Sequence, residues 1–123
     1  MAITVERDDA RRRFYAVATG DLSLTDFLTF VAQHRVDAFR QYAIVFDASN
    51  ATSFPNGRDI DTIVSRVASL ATREGVRGPV AIVGTDAIYG MARMYEIKCE
   101  LAGIDAIRAF QSVGDAEGWL ATR

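Results

Sequence analysis

Two short runs, Tyr42–Phe46 (YAIVF) and Val80–Val83 (VAIV), are continuously apolar and β-branched, and each leads through a polar turn into a helical pattern. A strand with one wet face alternates apolar and polar residues, so an unbroken apolar run marks a strand covered on both faces or lying centrally in its sheet. The polar stretch Asp47–Gly57 follows the first run. Beyond it Ile60, Ile63, Val64, Val67, Ala68 and Ala71 form one helical stripe, with Gly75 as its expected stop. After the second run Gly84-Thr85-Asp86 opens a helix carrying Ile88, Met91, Tyr95 and Leu101. Strand, turn and helix succeed one another as in parallel α/β sheets.

The flanking segments complete the pattern. Ile3 and Val5 alternate with polar neighbours, a charged turn follows, and Arg13–Thr19 (RFYAVAT) is rich in aromatic and β-branched residues, which together predict a hairpin. Ser23 with Asp26 forms a capping signature ahead of Leu24, Phe27, Leu28 and Val31, a helix expected to end near Arg35–Phe39. Ile104–Phe110 reads as a last strand, and Ser112 with Asp115 caps a closing helix that holds Trp119 and Leu120. The expected order is ββαβαβαβα, a mixed five-stranded α/β sheet with an antiparallel N-terminal hairpin and four helices. No linker, repeat or low-complexity tract divides the 123 residues, so a single domain spanning 1–123 is expected.

Composition narrows the partners. A net charge of -2 gives no positive field for phosphates, so nucleic acid is not an expected partner. No apolar run nears the ~20 residues of a membrane helix, the first residues are charged where a signal peptide is apolar, and the one cysteine precludes an internal disulfide. A cytoplasmic protein without integral membrane segments is the expectation.

In open α/β sheets ligands gather at the carboxyl ends of the strands, where helix N-termini converge. Asp47, Ser49, Asn56, Gly57, Thr85 and Asp86 fall there, and Tyr89 and Tyr95 on the third helix add aromatic surface; these eight are the candidate ligand- or partner-binding residues. Turn formation and helix capping explain the same polar residues without a ligand. A receiver-type phosphoacceptor site is rejected, because Asp8-Asp9 is followed by a second strand and no lysine ends the last one. Glycine-rich phosphate loops are missing from the sequence, Ser49 has only His34 as a conceivable base, and His34 with Cys99 is too small a set for zinc. No cofactor or metal is expected. The enzyme alternative is a carboxylate, Asp47 or Asp86, acting as general base.

The element order and the C-terminal third, GPVAIVG and then IRAFQSVGDAEGWL, resemble SpoIIAA-like proteins of the STAS and CRAL-TRIO type. The motif is strongest over Ile107–Leu120, where an Arg-x-Phe strand end precedes an acidic-Ala-x-x-Trp-Leu helix. The resemblance implies a mixed sheet flanked by helices, no established reaction, and a module that binds a regulatory protein or a small apolar ligand; a homodimer is also compatible. In the anti-sigma-factor antagonists of this type a serine opening the second helix is the phosphorylation switch. Asn56 takes that position here, so switching by phosphorylation is not expected, with Ser49 and Ser53 as the neighbouring hydroxyls.

Overall fold

The computed structural model describes residues 2–74 and 77–123, so the expected stop at Gly75 lies outside the described residues. The elements run β1 (Ala2–Asp8), β2 (Arg13–Asp21), α1 (Leu24–His34), a 3-10 turn (Asp37–Gln41), β3 (Ala43–Ser53), α2 (Gly57–Glu74), β4 (Val80–Val83), α3 (Asp86–Leu101), β5 (Ile107–Phe110) and α4 (Val113–Ala121). They form one five-stranded sheet of order β1-β2-β3-β4-β5. The hairpin β1–β2 is antiparallel, and β2, β3, β4 and β5 pair in parallel, as the strand–helix succession predicts.

Because the parallel strands follow one another in order, right-handed crossovers put α1, α2 and α3 on the same face. That face holds the larger core: Phe14, Ala16, Ile44, Phe46 and Ile82 of the sheet meet Phe27, Ile60, Ile63 and Tyr95 of the helices. The opposite face is covered by α4, whose Ala116 and Leu120 pack on Val45, Ala81 and Val83. Alternate residues of β3 and β4 thus enter two cores, which is the physical reason for their unbroken apolar runs.

Local signals place the helix ends. Ser23 and Asp26 make a reciprocal capping box on α1, and Ser112 Oγ accepts the Asp115 N–H at 3.1 Å on α4. Arg35 leaves α1 into the interior at 4 % exposure. Its Nη1 donates to the Arg40 and Tyr42 carbonyls at 2.7 and 2.6 Å, and its Nη2 to Gly78 O at 2.9 Å. Burial, helped by the like charge of Arg77, pushes this guanidinium down to about 9. The side chain fastens the entries of β3 and β4 together.

Two strands differ from the sequence expectation: the last, expected over Ile104–Phe110, begins only at Ile107, because the Ile104 N–H is still bonded to Cys99 O at 2.8 Å at the end of α3. The strand expected over Tyr42–Phe46 extends to Ser53, so Asp47–Ser53 of the anticipated polar loop is strand. Asp21 at the end of β2 accounts for it: its Oδ1 accepts from Thr52 Oγ1 at 2.9 Å and Ser53 Oγ at 3.2 Å. Register shifts after Val17 and Gly20 let the twisted ribbon continue, with Gly20 in the left-handed region at φ 74°.

Candidate functional site

The parallel register sets Asp47, within β3, beside Val83, one residue before Gly84, so Asp47 lies level with the carboxyl end of β4, where Thr85 and Asp86 follow. At Gly84 a Cβ would come within 2.7 Å of Ile88 Cγ2, so glycine lets α3 start directly against the strand end. Thr85 is the N-cap residue of α3 and makes no side-chain cap bond; its carbonyl accepts from Ile88 N at 3.1 Å and Tyr89 N at 3.2 Å. Asp86 follows in the left-handed region at φ 51°. Both side chains are exposed.

Asp47 is half-buried, and its Oδ1 accepts from Ser49 N at 3.0 Å and Ser49 Oγ at 2.6 Å. The pair sits within β3 at the register shift between Asp47 and Asn50, and the serine hydroxyl is a donor to its own strand's carboxylate. A base for Ser49 is not at hand in His34. α1 runs against the strands, so its last residue lies at their amino ends, where His34 Nδ1 bonds Phe30 O at 3.0 Å and its ring packs on Phe14 and Phe30. Among the described residues no group of three His, Cys, Asp or Glu side chains is placed to hold a metal ion.

Asn56 and Gly57 are not a free turn. Asn56 caps α2, its Oδ1 accepting from Asp59 N at 2.9 Å and its carbonyl from Ile60 N at 2.8 Å. Gly57 lies against α3, where a Cβ would meet Met94 Sδ at 3.8 Å.

The two tyrosines part company. Tyr89 is half-buried and borders a polar depression of about 550 Å³ with Arg93, Glu96, Arg108, Gln111 and Asp115. Tyr95 corrects the sequence expectation: it is 4 % exposed, 6.0 Å from the Phe27 ring, and belongs to the core instead of the accessible site. It lies on the inner side of α3 with Ala92 and Cys99, at spacings of three and four. Burial, then the neighbouring Cys99, raises its phenol well above the usual range. Cys99 itself is fully buried, and burial pushes its thiol up to about 11.

Tyr95 also lines an apolar cavity of about 50 Å³ between the helices and the sheet, with Phe27, Phe30, Val31, Ile44 and Phe46. A cavity that takes up benzene measures ~150 Å³. The space is therefore smaller than a ring-sized ligand needs.

No family model and no curated protein matches the chain.

The outward side of α3 carries what the strand ends lack. Met94, Ile97 and Leu101 are 37 %, 43 % and 83 % exposed, and their spacings of three and four align them along one line of the helix. Arg93 and Glu100 flank the line on the side facing β5, with Arg93 paired to Glu96; Lys98 flanks it on the side facing α2, bonded to Asp61. From the sequence, either Ile88 and Tyr95 or Met91 and Met94 could have been the pair left partly outside; Met94 is exposed and Tyr95 is buried, with Ile88 and Met91 half-buried. Arg93, Glu96 and Arg108 were missed: their signal is a run of charges at i, i+3 on α3 opposite an exposed arginine on a terminal strand.

Proposed function

We propose that the chain is a non-catalytic, STAS-like binding module that docks a protein partner on the outward side of α3. The observation that carries this reading is the aligned exposure of Met94, Ile97 and Leu101. Single exposed apolar residues are ordinary, but three in line with charges at the margin have the make-up of a docking patch, an apolar centre with a polar rim. Asp47 and Ser49 bond to each other within β3, and Asn56 caps α2 with its amide where the antagonists of the resembled family carry a phosphorylatable serine. The module is accordingly read as one that works without that switch.

A photoreactive residue placed at position 97 in the native host tests this. A covalent adduct with another polypeptide is expected at 97 and not at the exposed control position Ser65 on α2. Equal labelling at both positions, or none at 97, overturns the reading.

A further inference from the structure

The docking line of α3 is self-complementary, and we infer that its occupant is a second copy of this chain, held across a two-fold axis with the two α3 helices antiparallel. The inference rests on the docking reading of the same face and names its partner.

The exposed positions Gly90, Met94, Ile97 and Leu101 are separated by four, three and four residues, the spacing of a helix–helix seam. In an antiparallel pair each residue of one seam register meets one of the other. Met94 then lies over the second copy's Ile97, and Leu101, the most exposed large apolar side chain among the described residues, over the second copy's Gly90. Gly90 has no internal reason to be glycine: its φ is not positive and a Cβ there would meet nothing within 4 Å. A glycine in an exposed helix interior costs ~1 kcal/mol relative to alanine. Opposite a leucine of another helix it provides the room that lets the two backbones approach.

Charge then chooses the orientation. Seam-flanking residues decide which way two helices pair. The antiparallel register sets Arg93 opposite the second copy's Glu100, and two-fold symmetry makes that contact twice. A parallel pair would instead set Arg93 beside the second copy's Lys98, joining like charges. Both Arg93 and Glu100 are exposed, and Arg93 keeps donors for a second carboxylate while it holds Glu96. The seam covers about three turns, ~17 Å of helix, which is small for a permanent interface, so the dimer is reversible and concentration-dependent.

Sedimentation equilibrium on the wild type, Arg93→Glu, Glu100→Arg and the double variant decides the matter, with circular dichroism to confirm folding. The wild-type mass is expected to rise with concentration from 13.5 kDa toward twice that value. Each single reversal should weaken association by ~10-fold or more, and the double reversal should return it to near wild type. Arg93→Glu also loses the internal pair with Glu96; Glu100→Arg does not, so its behaviour stands alone if the first variant is unstable. A wild-type mass that stays at 13.5 kDa, or a double variant no better than the singles, overturns the inference. If such a monomer still forms a position-97 adduct with a different protein, self-pairing falls and the docking reading stands.

Discussion

Glu96 Oε1 accepts the Ala109 N–H at 2.7 Å, so a carboxylate of α3 closes the outer edge of β5. β5 is the last strand of the sheet, and an edge strand left open invites pairing with another chain. Its own helix blocks that approach, while Arg93 holds the same carboxylate from the solvent side.

Glu96→Ala is expected to lower stability by ~1–3 kcal/mol, the cost of stripping a charge-assisted bond from a part-buried N–H. It should also raise aggregation, and Glu96→Gln should fall between the two because its amide oxygen still accepts. Urea denaturation with light scattering checks both; an unchanged midpoint and clear solutions for Glu96→Ala would show that the edge is protected by something else.

Asn56 caps α2 with its amide oxygen, so Asn56→Ala should cost ~1 kcal/mol, whereas Asn56→Asp should be neutral or slightly stabilising because a carboxylate caps equally and suits the helix N-terminus. Thermal melts of the three proteins make the comparison. A destabilised Asn56→Asp would show that the nearby Asp59 charge outweighs the dipole.

Cys99 supplies a pH test. Burial holds its folded-state pKa at about 11, above the ordinary thiol value of 9.0, so the folded protein holds the thiol proton more tightly than the unfolded chain does. The stability this contributes is complete below pH 9 and is lost as pH rises through 11. The unfolding free energy of the wild type relative to Cys99→Ala should therefore fall over that interval, measured by urea titration at each pH. A constant difference would contradict it.

The architecture was legible because burial on two faces leaves a direct trace, the unbroken runs around Val45 and Ile82. Capping was equally plain at Ser23 and Ser112, where the bonds are local in sequence. The extension of β3 to Ser53 was not, since it depends on Asp21 reaching across from another strand. Tyr95 and Met94 are adjacent residues of one aromatic and sulfur-rich helix, and composition does not say which of them turns inward. That is settled by which face α2 and the sheet occupy. Glu96 escaped notice for the same reason: its partner, the N–H of Ala109, is a backbone group of a different element.

The central claim is that this protein works through the outward side of α3 and not through the polar groups at the strand ends. The most direct measurement is a set of ¹⁵N amide spectra of labelled protein, recorded from dilute to concentrated solution and then in extract of the native host. The account predicts shifts and broadening confined to residues 90–101, with Gly90, Ile97 and Leu101 moving most. Changes concentrated at Asp47, Ser49, Thr85 and Asp86 with α3 unmoved would contradict it.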